Sequence, residues 1–446
     1  MSFPISEASP VLCTAALPAR ADAVVIGGGI IGVMTAWFLR EKGLSVVVCE
    51  KGRIAGEQSG RNWGWVRQQG RDPGELPIMV ESLSIWKQLA LQMGDGLGFK
   101  QTGVLYLAKT EAEIAGFEAW TEHSRAHQLD TRLLTADETL GMLKGAAAPW
   151  KGGLFTASDA RAEPWVAVPA LATAAVEKGV MIREACAVRG LDLSAGKVAG
   201  VVTEAGRIAC DHVVVAAGAW SRLFLGSLGI RIPQLSVLAS VAATEPMPEI
   251  FPGNAADDDF AFRRRADGGY SIAPGARHDF FIGRDAFQSF GVYLPVLKKD
   301  FRSTNFRAAA PKGFPDGWGT PRRWALDRES PFERQRVLNP APNMQTLSAV
   351  QESFARAFPS LGRPKLKSAW AGMIDSLPDV VPIVDHAPIP GLTIATGMSG
   401  HGFGIGPGMG RVVADLVTGR PTGHDLSRFR LSRFSDGSPI RPGPSL

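Results

Sequence analysis

The chain has 446 residues, 45% of them hydrophobic and 20% charged, a balance typical of a globular protein and not of a disordered one. This length is sufficient for two domains with substantial cores. Basic residues exceed acidic residues by five, but no recognisable nucleic-acid-binding module accompanies them, so no nucleic-acid partner is expected. The charge is more typical of a protein that meets an anionic substrate or, less favoured, a membrane surface.

The four cysteines show neither a CxxC pair nor metal-ligand spacing, which predicts buried reduced thiols and no metal site. The apolar run 24–39 covers about 16 residues, fewer than the ~20 that a membrane helix needs. Residues 1–20 lack the basic start of a secretory signal and are predicted to be a loose tail, as are residues 435–446. A cytoplasmic location is expected.

After the first tail, the chain shows the pattern of a βαβ unit. The segments are an apolar strand at 23–26, a turn with the spaced glycines Gly27, Gly29 and Gly32, a helix at 33–40 and a second strand at 44–50. In such a unit the first glycine permits the turn, the second lets the backbone approach a pyrophosphate, and the third allows close packing of helix and strand. The unit therefore predicts a site for adenosine diphosphate.

Glu50 strengthens this interpretation, because it lies 21 residues after Gly29 at the end of the second strand. A carboxylate there would accept hydrogen bonds from the ribose hydroxyls, which argues against a 2′-phosphate on the ribose. The βαβ unit alone leaves NAD and FAD open. The alternative is a glycine-rich turn in an ordinary α/β domain.

The polar stretch 51–69 is rich in Gly, Trp and Arg and is predicted to be a binding loop. Further elements are predicted as helices at 76–93, 111–127 and 166–178 and strands at 103–108, 198–203 and 206–210. The apolar strand that starts at Val213 ends in the small residues Ala217 and Gly218. Small residues at a strand's carboxyl end let a ligand approach the backbone closely.

The second half of the chain begins with predicted antiparallel strands at 233–243 and 260–272. The aromatic and basic stretch 285–318 has no clean period and is interpreted as a lid or an interface. The remaining predicted elements are a helix at 344–358, strands at 367–370 and 391–396, a glycine-rich loop at 397–408 and a helix at 409–418.

These segments together resemble the FAD-dependent family of D-amino-acid oxidase, glycine oxidase and sarcosine oxidase. The resemblance covers residue 21 to about residue 434. It depends on the GxGxxG turn, the 213–221 strand ending Ala-Ala-Gly-Ala-Trp-Ser, the 263–275 hairpin, Trp370-Ala-Gly372 and the glycine-rich 397–410 segment.

The resemblance implies an α/β fold with two domains. A Rossmann-like FAD-binding domain, of the glutathione-reductase type, would be formed by residues 21–95, 150–222 and 366–434. A substrate domain with a mainly antiparallel β-sheet and helices would be formed by residues 96–149 and 223–365.

Three separated glycine-rich segments that converge on one cofactor fit FAD better than NAD. Covalent sarcosine oxidases have a cysteine where this chain has Ala371, so FAD is expected to be non-covalent. The same enzymes have a substrate-binding lysine where this chain has Gly404, so a carboxylate clamp must come from elsewhere. The expected cofactor-binding residues are Gly27, Gly29, Ile30, Ile31, Gly32, Glu50, Lys51, Ser59, Arg61, Asn62, Trp63, Gly64, Val188, Ala217, Gly218, Trp220, Trp370, Gly372, Gly400, His401, Gly402, Phe403 and Gly404.

Three residues are candidates for the catalytic site. Arg67 offers a bidentate grip on a carboxylate, with a surface or phosphate-side arginine as the alternative. His401 is a candidate for tuning the protonation of flavin or substrate, or is a structural histidine. Tyr270 is a candidate for closing the pocket, although a packed core tyrosine is the favoured reading. The run 263–265 is interpreted as a solvated strand edge, with steering of an acid into the cleft as the alternative.

The resemblance implies FAD-dependent oxidation of the C–N bond of an amino acid or secondary amine, of the D-amino acid or N-substituted glycine type. Hydride would pass to flavin N5, and the imine would hydrolyse to an oxo acid. Oxygen or another acceptor would reoxidise the flavin. The alternatives are a 2-hydroxy-acid dehydrogenase on the same fold and a non-catalytic flavin-binding subunit. The sequence predicts no oligomeric state.

Overall fold

A computed structural model describes residues 4–300 and 303–443. Its helices are α1 (Ile30–Glu41), α2 (Gln58–Arg61), α3 (Leu76–Met93), α4 (Glu111–Ala126), α5 (Ala136–Met142), α6 (Pro164–Glu177), α7 (Ser221–Ser227), α8 (Arg284–Asp300), α9 (Pro331–Arg334), α10 (Met344–Ala357) and α11 (Gly402–Val417).

The strands follow the same chain order. They are β1 (Ala23–Ile26), β2 (Val46–Cys49), β3 (Trp65–Val66), β4 (Lys100–Gln101), β5 (Val104–Ala108), β6 (Thr131–Thr135), β7 (Gly152–Thr156), β8 (Ala160–Arg161), β9 (Met181–Arg183), β10 (Val188–Ser194), β11 (Lys197–Thr203), β12 (Gly206–Ala209), β13 (His212–Val215), β14 (Leu235–Thr244), β15 (Asn254–Ala256), β16 (Ala261–Arg264), β17 (Tyr270–Ala273), β18 (His278–Phe281), β19 (Thr304–Arg307), β20 (Leu366–Ser376), β21 (Ile383–His386) and β22 (Leu392–Thr396).

The first sheet has six strands in the order β21-β22-β13-β1-β2-β9. Strand β1 pairs in parallel with both β2 and β13, which confirms the predicted βαβ unit. Its residues alternate between two cores: Val25 packs on the side of α1 and α11, and Val24 packs on the opposite side. Because both faces are covered, the strand is apolar throughout instead of alternating with polar residues.

Helices α1 and α11 pack against each other on one face of this sheet. Gly406 and Gly410 lie one turn apart on α11 and face Ile30 and Met34 of α1. A methyl group added at Gly410 would lie 2.6 Å from the backbone carbonyl carbon of Met34. Glycine at this position therefore allows the two helices to approach closely, with both N-termini at the same edge of the sheet.

The second sheet has the strand order β19-β18-β14-β17-β16-β15-β5-β7-β6, with β20 paired to β14. Most of its pairs are antiparallel, including β14 with β20 and β5 with β7. Strands β7 and β20 belong to this sheet although both fall within segments assigned to the FAD-binding domain from the sequence. The division into two domains with the boundaries given above stays a prediction.

Three elements differ from the sequence-based expectation. Helix α11 begins at Gly402, seven residues before the predicted start, so the glycine-rich segment forms the first turns of a helix and not a loop. The stretch 285–318 contains the regular helix α8, which ends at Asp300, and strand β19. Residues 301 and 302 within that stretch lie outside the described residues.

The N-terminal segment is not a loose tail over its described part, residues 4–20. Ile5 is buried in the core beside α1, and the Cys13 amide donates to Glu184 at 2.8 Å. Residues 1–3 and 444–446 of the two predicted tails lie outside the described residues. The four cysteines are buried and unpaired, as predicted. Within 4–300 and 303–443, no helix is both long and apolar enough to cross a membrane.

Candidate cofactor and substrate site

A cleft of about 1430 Å³ is bordered by elements of both sheets. Its walls include the turn after β1, the carboxyl ends of β2 and β13, strand β20 and the start of α11. Pockets for a drug-sized molecule measure roughly 300–1,000 Å³. The larger volume fits a dinucleotide together with a small substrate.

Two glycines of the βαβ turn, Gly27 and Gly32, have no room for a side chain. Gly27 has a φ of +113°, and a Cβ atom there would lie 2.4 Å from the carbonyl oxygen of Ala216. A Cβ atom at Gly32 would lie 2.0 Å from the carbonyl oxygen of Gly27. Helix α1 begins at the cleft, where Gly29, Ile30 and Ile31 line the wall, and the Ile30 amide donates to Ser59 Oγ at 3.0 Å.

Glu50 lies at the end of β2 and lines the cleft. Its carboxylate accepts hydrogen bonds from the amides of Gly28 at 2.6 Å and Gly52 at 2.7 Å. Burial raises the pKa of Glu50 to about 7. Hydroxyl groups of a bound ribose would donate to this carboxylate and offset the cost of burying its charge.

Two basic residues of the predicted binding loop, Arg61 and Lys51, form their polar contacts within the protein. The Arg61 guanidinium donates to the carbonyls of Ile5, Gly56 and Ala371, and burial lowers its pKa to about 10. The Lys51 ammonium lies 2.7 Å from Glu57 Oε1 and also donates to two backbone carbonyls. Both residues line the cleft, but their charged groups are bonded to other groups of the protein.

The start of α11 forms another wall of the cleft. His401 precedes the first helical residue, and its side chain makes no capping hydrogen bond to the helix. His401 Nδ1 lies 3.0 Å from Glu75 Oε2. Burial lowers the pKa of His401, and the nearby Glu75 carboxylate opposes that effect.

Most of the predicted site residues line this one cleft. They are Gly27, Gly29, Ile30, Ile31, Glu50, Lys51, Ser59, Arg61, Asn62, Trp63, Arg67, Val188, Ala217, Gly218, Trp220, Gly372, Gly400, His401, Gly402 and Phe403. Four others do not line it: Gly32, Gly64, Trp370 and Gly404. For example, the Gly404 carbonyl accepts hydrogen bonds from Ser82 and Trp86, so it supports α11 from behind.

Tyr270 does not line the cleft, so it is not positioned to close it. Its side chain is fully buried in an aromatic core with Phe262 and Phe354. Its hydroxyl accepts from the Ile250 amide at 2.9 Å and donates to the Phe251 carbonyl at 3.3 Å. The proposed role at the pocket is therefore corrected: Tyr270 is a core tyrosine with both hydrogen-bonding capacities used.

The run 263–265 is also not a solvated strand edge. Arg263 is fully buried and makes two hydrogen bonds of 2.9 Å with Glu163. Arg265 is buried as well and lies over the Trp165 ring at 4.6 Å. These side chains therefore bind internal groups.

Several residues of the cleft were missed by the sequence analysis. Arg71, Glu75 and Asp375 are each at most 2% exposed; Arg71 and Asp375 line the cleft, and Glu75 contacts His401. The Glu75–His401 contact joins residues 326 positions apart, which no local pattern reveals. Arg71 and Glu75 are four residues apart, but both precede α3, so helical spacing gave no signal either.

The structure combines a mostly parallel sheet that contains the βαβ unit with a second, mostly antiparallel sheet. The cleft lies between the GxGxxG turn and the N-terminus of α11, an arrangement typical of a dinucleotide-binding protein. A family model described as FAD dependent oxidoreductase (DAO) matches residues 22–416. The chain belongs to this family, and its cofactor is FAD.

The similarity to individual proteins extends over nearly the whole chain. L-amino acid deaminase from Proteus myxofaciens, solved in complex with anthranilate, is 32% identical and superposes with a TM-score of 0.91 over 96% of this chain and 97% of its own. L-proline dehydrogenase from P. horikoshii is 25% identical, with a TM-score of 0.76 over 95% of this chain and 100% of its own. The sarcosine oxidase beta subunit of Rhizobium meliloti (strain 1021) is 26% identical over 93% of this chain and 89% of its own length.

The cleft fits FAD because glycines at its surface leave space beside the backbone for a large cofactor. Beside Gly400, the nearest atom that an added Cβ would meet belongs to Ile374, 3.8 Å away, so the adjacent space is open. Gly218 has a φ of +51°, a conformation that side chains rarely adopt. Together with Glu50 and the two helix N-termini, these glycines supply donors and acceptors without filling the cleft.

Proposed function

We propose that this protein oxidises the bond between nitrogen and the adjacent carbon of an amino acid or secondary amine. The observation that carries the proposal is the continuity of one cleft, in which Glu50 and the glycine turn lie in the same cavity as Arg67 and His401. FAD, when bound, supplies the hydride acceptor for this chemistry. The protein's own contribution is to orient the substrate, exclude water and control the proton on its nitrogen.

Arg67 is the residue proposed to bind a substrate carboxylate. It lines the cleft, is partly buried, and its guanidinium lies 5.7 Å from the centre of the Tyr106 ring. One of its Nη atoms donates to the Gln69 carbonyl, which fixes the plane of the group. A guanidinium fixed in this way can form paired hydrogen bonds with a carboxylate.

An α-amino acid is the substrate class that the similarity to an L-amino acid deaminase favours. The D-amino acid and N-substituted glycine types stay within the proposal, because the relatives also include a sarcosine oxidase subunit and glycine oxidase structures. The product would be an imine that water converts to an oxo acid. Oxygen or another acceptor would take the electrons.

A substrate panel tests the proposal directly. FAD-loaded protein is mixed without oxygen with L- and D-amino acids, N-methylated amino acids and the matching 2-hydroxy acids. Bleaching of the flavin by amines supports amine oxidation, and bleaching only by 2-hydroxy acids supports a dehydrogenase on the same fold. If no compound bleaches the flavin, a non-catalytic flavin-binding subunit is the better account.

A contact with a membrane or a protein partner would fall on the surface of α8. Phe287 and Phe290 are 66% and 56% exposed on one side of this helix, and Trp318 packs beside Phe287. Sedimentation with anionic lipid vesicles, compared between the wild type and Phe287→Asp, tests the membrane alternative. Sedimentation of only the wild type would support it. The cytoplasmic location stays a prediction.

A further inference from the structure

Three ionisable residues form a buried cluster beside the start of α11. Arg71 Nη2 donates to the His401 carbonyl at 3.1 Å, and Arg71 Nη1 lies 3.5 Å from Glu75 Oε2. The same Glu75 oxygen lies 3.0 Å from His401 Nδ1. Arg71 and Glu75 are 2% and 0% exposed, whereas His401 lines the cleft. The cluster therefore joins a buried carboxylate to the cleft through one imidazole ring.

The charge on Glu75 determines which nitrogen of His401 carries the proton. Burial alone would raise the pKa of Glu75, but the contacts with His401 and Arg71 outweigh burial and hold that pKa below its ordinary value. Glu75 is therefore ionised and can only accept a hydrogen bond. Because Glu75 cannot donate, His401 Nδ1 must carry the proton in this contact.

The second ring nitrogen, Nε2, is then left as an acceptor. Burial lowers the pKa of His401, Arg71 and Arg67 lower it further, and Glu75 opposes them, so the ring is neutral near pH 7. Arg428, which also interacts with Glu75, forms an ion pair of 2.8 Å with Asp72. Among the residues that the structure describes, His401 Nε2 has no hydrogen-bond partner.

We propose that Glu75 and Arg71 are positioning residues that hold His401 as the Nδ1-protonated tautomer, so that Nε2 removes a proton from the ammonium group of the substrate. In this step an N–H bond of the ammonium breaks and an N–H bond forms at Nε2. The substrate is left as a neutral amine with the lone pair that C–N oxidation requires. The resulting imidazolium faces the Glu75 carboxylate, which stabilises its charge.

This inference rests on the proposed amine oxidation, since it assigns how the substrate nitrogen loses its proton. The test compares wild-type holoenzyme with Glu75→Gln, which keeps the size of the side chain but removes its charge. The matched control is Glu81→Gln. Glu81 lies in α3, 2.6 Å from His424 in the segment after α11, and it does not line the cleft.

The first readout is the rate of anaerobic flavin reduction as a function of pH, with the fastest amino acid of the substrate panel. We expect Glu75→Gln to lower this rate roughly 10- to 100-fold, because a neutral amide can donate to Nδ1 and stabilise the wrong tautomer. Glu75 raises the pKa of His401, so its loss should move the acid limb of the profile to lower pH. Glu81→Gln should leave both rate and profile unchanged.

The second readout does not depend on turnover. The tautomer of His401 is read from the nitrogen NMR shifts of ¹⁵N-histidine-labelled holoenzyme, with the signal assigned through His401→Gln. The expected wild-type signal is that of the Nδ1-protonated ring, and Glu75→Gln should shift it toward the other tautomer. This readout stays valid if Glu75→Gln weakens the fold, because the wild-type signal alone decides the tautomer.

Two results would overturn the inference. One is a wild-type His401 signal that shows the proton on Nε2. The other is a Glu75→Gln enzyme with full flavin content and an unchanged rate and pH profile. If no amine reduces the flavin while the Nδ1 tautomer is present, the proposed oxidation fails separately from the positioning of His401.

Discussion

Glu163 and Arg263 illustrate how a buried charge constrains the protein at the scale of single residues. Both are almost inaccessible to solvent, and the carboxylate also accepts from the Ala266 amide at 2.8 Å. Removing one charge of such a pair leaves the other buried without compensation. We expect Glu163→Gln to lower the free energy of unfolding by about 3–5 kcal/mol, measured by denaturant unfolding.

The matched control for this change is Glu111→Gln. Glu111 lies 2.7 Å from Lys151, but both side chains are largely exposed. Exposed pairs contribute about 0–1 kcal/mol, so the control should be close to wild type. Equal effects of the two substitutions would contradict the account of the buried pair.

Asp375 gives a pH prediction. Its side chain is 1% exposed, and burial raises the pKa of its carboxyl to about 6. Between about pH 4 and pH 6 the folded protein keeps this proton while the unfolded chain releases it. Stability relative to Asp375→Asn should therefore fall as pH rises through this window, by up to about 3 kcal/mol.

Unfolding of FAD-loaded wild type and Asp375→Asn at pH values from 4 to 7 measures this difference. The asparagine retains an oxygen for the Gly397 amide, which now donates to the carboxyl at 2.8 Å. A difference in stability that does not change with pH would show that the carboxyl has an ordinary pKa.

Residue roles were the least predictable part of the site. Residue type and spacing were sufficient to place Gly27, Gly29 and Glu50 at one site, because a βαβ unit fixes their relative positions locally. Arg263 was misread because its partner, Glu163, is distant in the sequence. A charged run is usually solvated, and only tertiary contacts identify the exceptions.

At the scale of elements, the contact between α1 and α11 determines the shape of the cleft. We expect Gly410→Ala to destabilise the protein by about 1–3 kcal/mol, because its methyl group would overlap the backbone of α1. FAD retention should fall too, since both helices begin at the cleft. Thermal unfolding and the flavin content after dialysis measure these effects.

Gly226→Ala in α7 is the control, because an added methyl group there meets nothing within 4 Å. Both glycines are helical, so helix propensity favours alanine equally in the two variants. A Gly410→Ala protein as stable as Gly226→Ala would contradict the close packing of α1 on α11.

Long apolar or amphipathic elements were predicted well, whereas the start of α11 was not. Helix α3 has the predicted bounds, and the strands of the βαβ unit are found within two residues of their predicted starts. The segment 402–408 was predicted as a loop because four of its seven residues are glycine, a poor helix former. Packing against α1 overrides that local preference and requires glycine in the helix.

At the scale of the whole molecule, distant segments line one cleft, and Ala371 stands where the covalent enzymes have a cysteine. We expect acid precipitation of the holoprotein to release the yellow flavin into the supernatant, because alanine has no atom that can attach it. Absorbance of the supernatant and pellet measures the partition. Colour that stays with the precipitated polypeptide would contradict non-covalent binding.

The global architecture was more predictable than the site, because the order of glycine-rich segments along the chain carries the family resemblance. The contacts between these segments were not predicted from the sequence. Glu75 meets His401 only after α3 and α11 pack together, and the sheet assignments of β7 and β20 depend on pairing across the molecule.

The most direct test of the central claim is the anaerobic spectrum of FAD-loaded protein during the amine and hydroxy-acid panel. The account predicts bleaching of the flavin by at least one amino acid or secondary amine, together with an oxo acid or aldehyde product that matches the substrate used. Bleaching by 2-hydroxy acids alone, or a flavin that stays oxidised with every amine, would contradict it.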